Sequence, residues 1–119
     1  MTNRDQFRVS VILYPEDGFW IAQGIEFDIT ARGRTPIEAS ERFTDKFAAE
    51  LVISIEVGDT EPLSGVGAAP PEFWTMYKDA RVRVVVVDET SLRLNGGPAS
   101  QVCPQIRMTD RQLRRNHAT

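Results

Sequence analysis

Residues 33–39, Gly-Arg-Thr-Pro-Ile-Glu-Ala, constrain the fold of this chain more than any other stretch. Thr35 suits the cap of a helix N-terminus, because its hydroxyl can accept a bond from an orphan backbone N–H of the first turn. Pro36 then falls at the first helical position, where its missing N–H costs nothing and its fixed φ fits a helix. Glu38 lies three residues after Thr35, so its carboxylate can reach back to the cap's own N–H and close a capping box. Gly33 permits a sharp turn ahead of the cap.

The helix launched there runs to about residue 54, or on to 57. Ala39, Phe43, Phe47 and Leu51 recur at i, i+4 and form one apolar stripe. Glu38, Glu41, Arg42, Asp45 and Lys46 fall mostly off that stripe, and the acids crowd the half that suits the positive end of the helix dipole. Val52, Ile53, Ile55 and Val57 are β-branched, so a helix ending near residue 50 with a strand over 51–57 is the competing reading. No breaker precedes Gly58, which favours the continuous helix.

Ahead of the helix the period changes from helical to two. Phe7, Val9, Val11 and Leu13 alternate with Arg8, Ser10, Ile12 and Tyr14, the pattern of a strand whose first set faces a core. Ile12 and Tyr14 make the second face apolar enough to need cover. Asp17-Gly18 marks a hairpin, and Phe19, Ile21, Ile25, Phe27 and Ile29 return on one parity as a second strand. Gln23 interrupts that parity beside Gly24, and a glycine there signals a bulge or a close backbone approach. A bend near residues 27–28 then leads to a short third strand over 29–33.

After the helix, residues 58–71 read as a loop with few residues that could fill a core. Residues 72–79, opened by Pro71, read as a short helix in which Phe73, Trp74, Met76 and Tyr77 are apolar. Aromatic density of this kind docks on the domain or on a partner. Residues 81–87 form a valine-rich strand, which at an open edge would invite pairing with another chain. Residues 91–94 suggest a further short strand and 95–98 a turn. The expected division is one domain over 1–90 and an extension over 91–119, poor in apolar residues and partly disordered.

With 119 residues, 41% hydrophobic and 26% charged, the chain has the make-up of a soluble single domain. No apolar run is long enough to span a bilayer, and the first residues lack the apolar core of a secretory signal, so a cytoplasmic location is expected. Cys103 is the only cysteine and His117 the only histidine, which excludes a disulfide or a Cys-based zinc site and speaks against Cys–His catalysis. The net charge of −3 argues against a broad nucleic-acid-binding surface. Arg107, Arg111, Arg114 and Arg115, set against Asp110 alone, are nonetheless the candidates for phosphate contact. A metal-dependent nuclease needs several converging carboxylates. Among Glu16, Asp17, Glu26, Asp28, Glu38 and Glu41, only Glu26 and Asp28 share a strand face, and two are too few. No catalytic residue, metal ligand or cofactor is therefore assigned.

Three pieces in order carry a family resemblance: Phe-Arg-Val-Ser-Val at 7–11, Asp-Gly-Phe-Trp-Ile-Ala at 17–22, and Gly-Arg-Thr-Pro-Ile-Glu-Ala at 33–39. Together they resemble the HicB-like antitoxin domain. In that family an early strand leads to D-G-aromatic-aliphatic-A and then to G-x-T-x-x-E-A at a helix start. The resemblance implies an α/β (α+β) unit related to a partial ribonuclease H fold. Its order is β-β-β-α-β: a small antiparallel sheet of three strands packed on one long helix, with a later edge strand, here residues 81–87. It also implies a non-catalytic protein-binding module that blocks a small ribonuclease toxin, HicA, or stands as an orphan homo-oligomeric scaffold. Trp20, Phe73, Trp74 and Tyr77 are the candidate partner contacts, as rigid aromatics are typical anchors. The chain departs from the family at 25–29, where Ile-Glu-Phe-Asp-Ile stands in place of F-P-D-L-P-G-C. Residues 105–113 look like the strand and helix start of a ribbon-helix-helix without its second helix. DNA binding through the arginine-rich tail is thus the alternative reading.

Overall fold

The computed structural model describes residues 6–58, 61–84, 90–93 and 99–110. Its elements are β1 (Gln6–Glu16), β2 (Phe19–Gly24), β3 (Thr30–Gly33), α1 (Pro36–Glu56), α2 (Pro71–Asp79), β4 (Val82–Val84), β5 (Thr90–Arg93) and β6 (Ala99–Met108). The fold is α+β with a mixed sheet in the order β3-β2-β1-β6-β4; β5 pairs with β6 further along the side that β4 also uses.

The first half follows its local chemistry. Asp17 and Gly18 have φ of 54° and 80°, as a two-residue type I′ hairpin requires, and β1 pairs antiparallel with β2 from Glu16↔Phe19 to Val11↔Gly24. At the start of α1, Thr35 Oγ1 accepts the Glu38 N–H at 3.0 Å. The Glu38 carboxylate reaches back to the N–H of Arg34 at 2.6 Å, one residue earlier than a standard capping box would place it. Gly33 serves a close approach: a Cβ there would lie 2.6 Å from the Ala39 nitrogen. Gly24 does the same, since its Cβ would meet the Phe27 carbonyl at 2.6 Å and the Phe43 ring at 3.1 Å. The helix runs unbroken to Glu56, and Gly58, at φ 89°, supplies the left-handed residue that ends it. The β-branched residues late in α1 do not break it, because Leu51 and Ser54 remain buried on the stripe.

Two layers cover the sheet. Val9, Val11, Leu13 and Ala22 meet Ala39, Phe43, Phe47 and Leu51 of α1 in the larger core. Ile12, Tyr14 and Ile25 meet Phe73, Tyr77 and Ala80 on the opposite face. The cover that Ile12 and Tyr14 call for is therefore α2. The loop over 61–70 also contributes: Leu63 is buried in the larger core, and its N–H donates to Ser54 Oγ at 2.7 Å.

The second half departs from expectation. Residues 99–108 form β6, which runs parallel to β1 and antiparallel to β4, within the stretch expected to be a partly disordered extension. Val102 and Ile106 are buried against α1 and explain why the segment folds in. The valine-rich strand accordingly lies one position further out: Val82–Val84 pair with β6 rather than with β1, and residues 85–87 fall outside the described residues, as does the expected turn at 95–98. Pro104 sits inside β6 without breaking it. The Thr109 N–H donates to the Leu13 carbonyl at 3.0 Å, so the odd-numbered backbone groups of β6 face β1 and Pro104 faces outward. There its missing N–H falls between the last pair of β4, at Ile106, and the first of β5, at Val102.

Candidate functional site

Helix α2 presents the aromatic cluster. Phe73 and Tyr77 are one helical turn apart and both turn inward onto the sheet, where Phe73 lies 5.8 Å from the Tyr14 ring. Trp74 points outward and is 43% exposed. Its ring stacks on Tyr77 at 5.5 Å with a 9° interplanar angle. The Arg107 guanidinium lies 4.5 Å from the centre of the Tyr77 ring and donates to the Tyr77 carbonyl at 3.0 Å. The Tyr77 hydroxyl donates to the Gln105 carbonyl at 3.1 Å. Lys78 Nζ stands 5.8 Å from the Trp74 ring. This ladder holds the exposed Trp74 ring against Tyr77, which is itself bonded to β6.

Of the four aromatic candidates, Phe73 and Tyr77 are thus built into the intramolecular core, and Trp74 is the most exposed. Trp20 is half-buried, packs against the α1 core, and lines an open cleft of about 500 Å³ with Met76, Ala80, Val82 and Met108. Of the arginines expected to touch phosphate, Arg107 is engaged by Tyr77; Arg111, Arg114 and Arg115 lie outside the described residues.

The two carboxylates weighed for metal chemistry are drawn into local structure. They sit in the irregular segment 25–29 rather than on a strand face. Glu26 accepts the Ser10 N–H at 2.7 Å and the Ser10 hydroxyl at 2.8 Å, taking over the β1 ladder where β2 leaves it. Asp28 accepts from the Gln23 side-chain amide at 2.8 Å, and that amide also donates to the Gly24 carbonyl at 2.9 Å. Gln23, the polar interruption of the strand pattern, is therefore buried with its N–H groups bonded. Among the described residues no three His, Cys, Asp or Glu side chains converge as metal ligands, and no helix is long and apolar enough to cross a membrane.

Of the sheet's two edges, the sequence pointed to the valine-rich strand and not to β3. Gly24 donates to Ile29 at 2.8 Å, so the alternate residues Thr30 and Arg32 turn their backbone groups away from β2. Lys46 Nζ donates to the Thr30 carbonyl at 2.8 Å, and Arg42 reaches the Arg32 carbonyl at 3.4 Å. On the far edge, Met108 and Ile106 face β4, so the backbone groups of Arg83 point outward. Val82 is 50% exposed there, and both arginines are exposed. No family model matches the chain, and no curated protein or solved structure matches it significantly.

Proposed function

We propose that the chain is a non-catalytic protein-binding module of the HicB-like, antitoxin kind, working in the cytoplasm as a homo-oligomer and sequestering a small ribonuclease toxin of the HicA kind. The observation that carries this is the use made of the resembling pieces. Asp17-Gly18 forms the tight hairpin, Gly33 admits the first turn of α1, and Thr35 with Glu38 caps it. These residues hold together the β1–β2–β3–α1 unit that carries the resemblance. Glu26, Asp28 and Glu38 are likewise tied to Ser10, Gln23 and Arg34. Trp74 offers the rigid aromatic that binding surfaces favour. The engagement of Arg107 by Tyr77 weighs against the DNA-binding alternative.

The test is co-expression with the product of the reading frame beside its gene. The expected result is a stable complex in which the partner's ribonuclease activity is suppressed, and which Trp74→Ala weakens. Ribonuclease activity in the isolated chain, lost on removal of divalent metal, would contradict the proposal.

A further inference from the structure

We infer that the edge of β4 accepts an extended acidic segment of a partner protein as an added strand, with acidic residues on the α2 face and apolar residues on the α1 face. Two independent observations lead there. The first is the backbone. Arg83 at the middle of β4 turns its N–H and C=O groups outward, and among the described residues no side chain bonds them, whereas Lys46 and Arg42 occupy the outward carbonyls of β3. A row of unmet backbone groups is what an added strand pairs with, and alternate side chains then supply its specificity.

The second is charge. Arg83 is the direct cross-strand neighbour of Arg107, and like charges so placed repel. Arg107 lies on the α2 face, over Tyr77, so Arg83 shares that face and Arg81 follows by the strand's alternation. Lys78 adds a further cation on α2 beside Trp74. Among the described residues neither Arg81 nor Arg83 is in an ion pair. Carboxylates arriving on this face would relieve the repulsion, while Val82, exposed on the opposite face next to Met108, would meet the apolar side chains. The inference rests on the binding-module proposal only in calling for a protein partner.

The experiment uses two short peptides, one alternating glutamate with valine and one alternating lysine with valine, titrated into the full chain and followed by amide NMR. The acidic peptide should shift the amides of Arg81, Val82 and Arg83, leave those of Thr30 and Arg32 in place, and bind more weakly as salt rises. The double variant Arg81→Glu/Arg83→Glu, with an otherwise unchanged spectrum, should weaken the acidic peptide about tenfold and strengthen the basic one. Equal response to both peptides, or none at β4, would overturn the inference. So would a short oligothymidylate that shifts these amides when the acidic peptide does not. A co-expressed toxin that still binds the double variant at full strength would also remove it, leaving the binding-module proposal intact.

Discussion

At the β3 edge of the sheet, Lys46 and Arg42 reach across from α1 and bond the outward carbonyls of Thr30 and Arg32. At the β4 edge, Val82 lies half exposed, and among the described residues no side chain bonds the outward backbone groups of Arg83. The difference arises from the register of α1. The apolar stripe of Ala39, Phe43 and Phe47 seats the helix over β2 and β3, which brings the flanking Arg42 and Lys46 to that edge. Glu38, already part of the cap, holds Arg42 in an ion pair at 3.3 Å. The signals that start the helix therefore also close one side of the sheet. Strand β4 joins the sheet through β6, and α2 packs beside it on Ile12 and Tyr14, so no flanking cation reaches its outer groups among the described residues.

Changes that unseat α1 should break this asymmetry most strongly. Phe43→Ala removes a fully buried ring stacked on Phe47 at 5.8 Å and should lower stability by about 3–5 kcal/mol, read from the denaturant midpoint. Gly33→Ala forces a methyl against the Ala39 nitrogen and should lower it by about 1–3 kcal/mol in the same assay, with weaker amide protection across β3. Thr35→Ala deletes the hydroxyl that accepts the Glu38 N–H and should lower stability by about 1 kcal/mol, with helicity at the start of α1 reduced by circular dichroism and NMR. The paired change Arg42→Ala/Lys46→Ala should alter stability by about 0.5 kcal/mol or less, since both contacts are exposed. Its effect should appear as association: sedimentation should show more self-association than in the parent chain, because both edges are then open.

The first half of the chain was legible because its signals are local. The alternation from Phe7 to Tyr14, the Asp17-Gly18 turn and the Thr35–Glu38 cap each need only a few neighbouring residues; the first two land as read, and the cap forms with Glu38 bonding the N–H of Arg34 in place of that of Thr35. Strand β6 was legible only in part. Residues 105–113 look like a strand and helix start, but Pro104 and the low apolar content of the extension hid the strand's first half. Pro104 is admissible because its missing N–H faces away from β1, between the described pairs of β4 and β5, a fact of tertiary arrangement. Glu26 illustrates the same limit: its partner Ser10 is sixteen residues away and meets it only after the chain bends out of β2. Arg42 and Lys46 looked like an ordinary solvated helix face, and nothing local says that a sheet edge passes beneath them.

The contrast between the edges can be read most directly by amide hydrogen exchange, with and without the acidic peptide. In the free chain the Val82 and Val84 amides, which face β6, should exchange more slowly than that of Arg83, which faces outward. Addition of the peptide should slow Arg83 and leave Thr30 and Arg32 unchanged. An Arg83 amide already as slow as its neighbours, or protection appearing at Thr30 and Arg32 instead, would contradict an open β4 edge opposite a closed β3 edge.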